Sequence, residues 1–215
     1  KYLKELSPDS DRRGTAEIAI GQAYWDQYRK LLKADEEDRP SAEKLAQLKQ
    51  QAQSTLENGV QRMRDTEDIS ANLVRAQWAL AQLYVDTAQY DKAIAILEDP
   101  KIGPLGLLAQ KHPEAMREGF PNAIYNTALR AYVSAQPPQL EKAEATMGSL
   151  EQLVAGDENA AEKLTLTFIA LGRQLEEQLD QLQKEGNQNE QRLVAKSFEV
   201  FLDRINARPG NTWAS

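Results

Sequence analysis

The stretch ANLVRAQWALAQLYVDTAQYDKAIAILEDP, residues 71–100, carries the clearest paired-helix pattern in the chain. Its first part carries apolar or small side chains at the three-to-four-residue spacing of one helical face: Leu73, Ala76, Leu80, Leu83 and Tyr84. A short turn follows, a second helix opens near Tyr90, and Asp99-Pro100 ends it. Helices joined by so short a loop pack antiparallel, so residues 70–98 are predicted to form a helical hairpin.

The same pattern extends outward and predicts further hairpins at about 11–63, 122–154 and 158–206. In the first of these, the opening helix has a predicted apolar stripe of Ile20, Tyr24, Tyr28 and Leu31. The hydroxyls of Ser41 and Ser70 are predicted to cap the second and third helices, and Asp157 is predicted to cap the helix that begins near residue 158. No segment alternates as a strand does, so the expected fold class is all-α with essentially no sheet.

The last hairpin, 158–206, has an apolar seam with the alternating four-three spacing of a coiled coil. The seam consists of Leu164, Phe168, Leu171, Leu175 and Leu182 on one helix and Val194, Phe198, Phe201 and Ile205 on the other. Gln178 interrupts it. Residues 100–121 differ from the hairpins in being rich in proline and glycine, and they are predicted to be a structured insertion.

Residues 71–100 resemble a unit of the tetratricopeptide-repeat (TPR) family. Leu80-Ala81 matches that family's leucine followed by a small residue, and Tyr84 matches the aromatic residue three positions on. Further matches, on the second helix, are Tyr90, Ala93 and Leu97. The resemblance implies an α-solenoid of stacked hairpins, in which small residues let paired helices approach.

The spacing of the repeats departs from the family. The centres Gly21, Ala81, Leu129 and Gly172 lie 60, 48 and 43 residues apart, whereas the family period is about 34. The chain is interpreted as a single TPR-like domain over residues 1–215, and a plain α-helical bundle remains the structural alternative.

The composition of the chain argues against two classes of function. The chain has 33 acidic and 26 basic residues and a net charge of −7, which argues against binding nucleic acid because a phosphate backbone needs a basic face. No apolar run approaches the roughly 20 residues that cross a bilayer, so no membrane insertion is expected. The compartment is not fixed by the sequence.

Residues suited to catalysis or metal binding are scarce. There is no cysteine, and the single histidine, His112, has no nucleophile or orienting carboxylate beside it in sequence. The acidic run 35–38 lacks the spacing and the glycine of a calcium loop. We therefore expect no enzymatic activity, no cofactor and no metal.

In the resembled family, the first helix of each pair lines a groove that takes a peptide or helix. On this chain the resemblance implies a groove of Gln22, Trp25, Arg75, Trp78, Gln82, Asn126, Arg130 and Arg173. The function expected is a non-catalytic scaffold that binds a peptide or protein partner. The alternative is a structural protein that forms a homo-oligomer through the seam of 158–206. Trp213, with little to pack on, suggests a longer parent chain that continues into a further helix pair.

Overall fold

The computed structural model describes residues 11–32, 34–35, 38–64, 69–117, 119–155, 159–184 and 186–206. These residues form α-helices joined by turns and loops, with no β-strand among them. In chain order the helices are α1 (Asp11–Leu32), α2 (Ala42–Met63), α3 (Ala71–Asp86), α4 (Tyr90–Leu97), α5 (Pro104–Ala109), α6 (Phe120–Ser134), α7 (Leu140–Val154), α8 (Ala160–Lys184) and α9 (Gln188–Asn206). The predicted all-α class is confirmed.

Serine hydroxyls cap two helices, as the sequence predicts. Ser41 Oγ accepts a hydrogen bond from the Lys44 N–H at 3.4 Å, and Ser70 Oγ accepts one from the Leu73 N–H at 3.3 Å. Each bond satisfies a backbone donor that the first helical turn leaves without an intrahelical partner. The third predicted cap, Asp157, lies outside the described residues.

Three helices, α3, α5 and α8, end in the same left-handed turn. The residue with positive φ is Ala88 after α3, Lys111 after α5 and Gly186 after α8. In each turn a backbone N–H bonds back across the last helical turn, as the Gln89 N–H does to the Tyr84 carbonyl at 2.8 Å. This Schellman arrangement satisfies carbonyls at the helix end, and glycine is its usual central residue.

The helices divide into two compact units. Unit 1 comprises Lys1–Leu83 and Ala95–Arg117, and unit 2 comprises Tyr84–Ile94 and Glu118–Ser215. The dividing points fall within α3 and α4, so the hairpin at 70–98 contributes residues to both units. The sequence analysis predicts a single repeat domain over residues 1–215. Helical periodicity is a local pattern, so it does not indicate where the chain divides into two units.

In unit 1, α1 and α2 pack against each other along their lengths. A Cβ atom at Gly21 would lie 2.7 Å from Leu56 Cγ, and one at Gly59 would lie 2.8 Å from Ile18 Cγ1. Residues 18 and 21 thus face residues 59 and 56, which makes the pair antiparallel, as the predicted hairpin at 11–63 requires. Glycine at both positions lets the two backbones approach closely.

The apolar stripe predicted on α1 is confirmed at Tyr28 and is otherwise wrong in register. The structure buries Ile18, Trp25 and Tyr28, at 2%, 2% and 7% exposure, whereas Ile20 and Tyr24 are only half-buried, as is Leu31. The physical reason is Gly21, which lies on the buried face and brings α2 closest. A glycine carries no apolar signal, so the sequence pattern favoured the neighbouring face.

The insertion at 100–121 contributes to the core of unit 1 through its residues up to 117. Ile102, Leu107, Leu108 and Ala115 are at most 4% exposed. The Asp99 carboxylate fixes its start: Oδ1 accepts hydrogen bonds from the N–H groups of residues 101 and 102, and Oδ2 pairs with the Arg64 guanidinium at 2.8 Å. The predicted insertion is therefore structured.

In unit 2, each of the helices α6, α7, α8 and α9 contacts the other three. Mutual contact of this kind is characteristic of a four-helix bundle, the structural alternative that the sequence left open. The predicted seam lies inside the unit. Its members Leu164, Leu171, Leu175, Leu182, Val194 and Phe201 are at most 8% exposed, Phe168 and Phe198 are half-buried, and the side chain of Ile205 lies outside the described set.

Candidate partner-binding surfaces

The eight residues of the predicted groove fall in both units. Unit 1 holds Gln22, Trp25, Arg75, Trp78 and Gln82, and unit 2 holds Asn126, Arg130 and Arg173. Their surroundings differ widely. Arg75 and Arg173 are exposed, Gln22, Trp78, Gln82 and Asn126 are half-buried, and Trp25 and Arg130 are buried.

The accessible face of α3 carries three groove residues. Arg75, Trp78 and Gln82 lie at positions i, i+3 and i+7, which places them in one row along the helix. The opposite side of α3 is closed off, because Leu73, Ala76, Leu80 and Leu83 are at most 1% exposed. The sequence of α3 thus separates a packed side from a side where a large indole and a guanidinium reach the surface.

Trp25 does not belong to an accessible surface. Its side chain is 2% exposed and stacks on Tyr28, with 5.3 Å between the ring centroids and 17° between the ring planes. The indole N–H has no hydrogen-bond partner. The groove role predicted for Trp25 is corrected, because a partner does not reach this buried ring. Trp25 was predicted to lie on the surface because the apolar stripe predicted on α1 was out of register.

Arg130 is likewise a residue of the interior. It is 6% exposed, and its Nη2 atom pairs with Asp86 Oδ1 at 2.8 Å, while its Nε atom is buried without a hydrogen-bond partner. The groove role predicted for Arg130 is corrected as well. On α6 every residue from 127 to 134 is buried, so an arginine spaced as a groove anchor points into unit 2.

A buried polar network in unit 2 was not predicted. Gln178 Nε2 donates hydrogen bonds to the Tyr90 hydroxyl at 2.6 Å and to Ser134 Oγ at 3.1 Å. Burial, with a smaller contribution from the Glu190 carboxylate, raises the pKa of Tyr90 to about 12, and the hydrogen bond from Gln178 opposes this rise. The one signal in the sequence was the interruption of the apolar seam by a glutamine.

The outer face of α8 carries two exposed aliphatic side chains between opposite charges. Leu166 and Ile169 are 58% and 48% exposed, the highest values among the large apolar side chains of the described residues. Glu162 lies four positions before Leu166, and Arg173 lies four positions after Ile169; both are exposed. These four residues, defined as the outer α8 face, point away from the buried seam.

The residues considered for chemistry are His112 and the acidic run 35–38. His112 Nδ1 accepts a hydrogen bond from the Glu114 backbone N–H at 3.3 Å, closing a local turn. No group of three or more histidine, aspartate and glutamate side chains in the described part of the chain is arranged to hold a metal ion. Of the acidic run 35–38, only Asp35 and Asp38 are described, and both are exposed.

Comparison with known proteins gives no relative for this chain. No family model matches it, and no curated protein or solved structure is significantly similar to it. Among the described residues, no helix is both long enough and apolar enough to cross a membrane.

Proposed function

We propose that this chain is a non-catalytic, TPR-like scaffold that binds a peptide or protein partner on the accessible face of α3. The observation that carries the proposal is the row of Arg75, Trp78 and Gln82 on a helix whose other side is fixed in the core of unit 1. Tryptophan and arginine are the residue types that most often anchor protein interfaces. A rigid helix also holds such anchors at low entropic cost.

The three side chains define the chemistry of the partner. The indole of Trp78 offers apolar area to an aliphatic or aromatic side chain, and the guanidinium of Arg75 pairs with a carboxylate. The Gln82 amide both donates and accepts hydrogen bonds, which suits a peptide backbone. The expected partner is therefore a segment with an acidic residue about one helical turn from an apolar one.

The proposed binding site is smaller than the predicted groove and consists of Arg75, Trp78 and Gln82. Trp25 and Arg130 act as packing residues, and the proposed site does not include Gln22, Asn126 or Arg173. A solenoid arrangement of the hairpins is part of the TPR-like proposal, but binding on α3 does not depend on it. The alternative, a homo-oligomer formed through the 158–206 seam, loses support because that seam is buried within unit 2.

Selection from a random peptide display library tests this function. The purified chain is expected to enrich peptides in which aspartate or glutamate stands three or four positions from an apolar residue. Trp78→Ala is expected to lower the affinity for the selected peptides about tenfold or more. Arg75→Glu is expected to shift the selection toward lysine and arginine.

The matched control is Arg29→Glu, an exposed arginine on α1 outside the row. It makes the same charge reversal and is expected to leave the selected motif unchanged. Thermal unfolding of each variant checks that the fold is intact. The proposal is rejected if the library yields no enriched motif, or if all three variants enrich the same motif with the same affinity.

A further inference from the structure

We propose that the outer α8 face is a two-fold interface at which a second copy of this chain docks antiparallel. The face consists of Glu162, Leu166, Ile169 and Arg173, all exposed on one side of α8. This surface differs from the accessible face of α3, so the inference is independent of the proposed partner binding.

The spacing of these residues is symmetric. Two helices that cross antiparallel with the two-fold axis between residues 167 and 168 place Leu166 of each copy against Ile169 of the other. The same axis places Glu162 of each copy against Arg173 of the other. A two-fold interface must be complementary to itself in this way, because each residue meets its counterpart twice.

The charges favour a second copy over an unrelated partner. The residues that flank the apolar pair, Glu162 on one side and Arg173 on the other, are opposite in charge, so a symmetric dimer pairs each of these glutamates with an arginine. The apolar pair excludes water at the centre, and the charges form the rim, which is the usual anatomy of an interface.

The interface is expected to be weak. It uses one face of one helix in each copy, which lies at the low end of interface areas. Association should therefore be reversible and visible as a mass that rises with concentration from the monomer value of 24.1 kDa. High salt should weaken it, because the Glu162–Arg173 pairs are exposed to solvent.

Analytical ultracentrifugation of charge-reversed variants tests the arrangement. Glu162→Arg places two like-charged pairs in its own homodimer, and Arg173→Glu does the same with the opposite sign. Each variant alone is expected to lose about tenfold or more in association constant. In an equimolar mixture of the two, every pair is again of opposite charge, so the mixture is expected to recover the association of the unmodified chain.

Two further variants separate this interface from general effects. Leu166→Lys is expected to abolish association, and Lys196→Glu, an exposed reversal on α9, is expected to leave it unchanged. Circular dichroism checks that all variants fold. The inference is overturned by an unmodified chain that stays monomeric up to about millimolar concentration, by single reversals that associate normally, by a mixture that does not recover, or by a loss of association in Lys196→Glu.

Discussion

Gln178 on α8 donates a hydrogen bond of 2.6 Å to the hydroxyl of Tyr90 on α4, although 88 residues separate them in sequence. Both groups are buried, at 6% and 4% exposure, so water does not readily replace either partner. A buried polar pair of this kind contributes to the register of the packed helices, because a shifted helix would leave both groups without a hydrogen bond. Gln178 therefore interrupts the apolar seam of α8 at the point where α8 meets Tyr90.

The Tyr90–Gln178 bond should appear as a coupling free energy. Gln178→Ala is expected to lower the free energy of unfolding by about 1–3 kcal/mol, because it removes the donor and leaves a buried hydroxyl. Tyr90→Phe should lower it less, since Gln178 keeps its bond to Ser134. Urea denaturation of both single variants and the double variant measures the coupling. Strictly additive effects would show that the bond does not stabilise the fold.

Alkaline pH should destabilise unit 2 through Tyr90. Its pKa is about 12 in the folded chain, against 10.0 for an ordinary tyrosine, so the folded state holds the phenolic proton more tightly than the unfolded state. The stabilising contribution is complete below pH 10 and disappears between about pH 10 and 12, and amounts to about 2–3 kcal/mol. Burial also raises the pKa of Tyr125, so ionisation of Tyr125 should likewise lower the stability of the folded chain at alkaline pH.

Urea midpoints measured across this alkaline range check the prediction. Tyr90→Phe, which has no proton to lose, should show a shallower decline than the unmodified chain. Equal slopes for the two proteins would assign the alkaline loss of stability to other groups.

Substitution by alanine should change the free energy of unfolding in opposite directions at Gly21 on α1 and at Gly172 on α8. Gly21→Ala places a methyl group 2.7 Å from Leu56 Cγ and 2.9 Å from the Leu56 backbone nitrogen, so we expect a loss of about 1–3 kcal/mol in unfolding free energy. A Cβ at Gly172 meets no atom within 4 Å, so Gly172→Ala should stabilise α8 by up to about 1 kcal/mol. Thermal unfolding of the two variants compares them directly, and a stabilised Gly21→Ala chain would contradict the close approach of α1 and α2.

The turn after α3 should gain stability from a glycine. Ala88 has φ of 54°, a left-handed conformation that is costly for alanine. Ala88→Gly is therefore expected to raise the unfolding free energy by about 1 kcal/mol. The matched control is Ala95→Gly, at an exposed position within α4, which should lower it by a similar amount. Denaturant titrations in which both variants lose stability would contradict the left-handed turn.

Periodicity predicted the longer helices well, because each of them is long enough for apolar residues to recur along it, although the buried face of α1 was assigned wrongly. The caps at Ser41 and Ser70 were also predicted from local sequence, because a serine just before a helix commonly bonds to a backbone N–H of the first turn. The site was harder to predict. Trp25 was misplaced because Gly21, which has no side chain, marks the packed face of α1. Arg130 was misplaced because local spacing does not report that Asp86, 44 positions away, supplies its counter-charge.

The fluorescence of Trp78 reports whether a partner binds on the accessible face of α3. A chain with Trp25→Phe and Trp213→Phe retains Trp78 as its single tryptophan, since the sequence has three. Titration with a peptide selected from the library should shift the emission of Trp78 saturably, with the dissociation constant that calorimetry gives for the same chain. A peptide that binds with unchanged affinity while the emission stays constant would place its site elsewhere and rule out binding on the accessible face of α3.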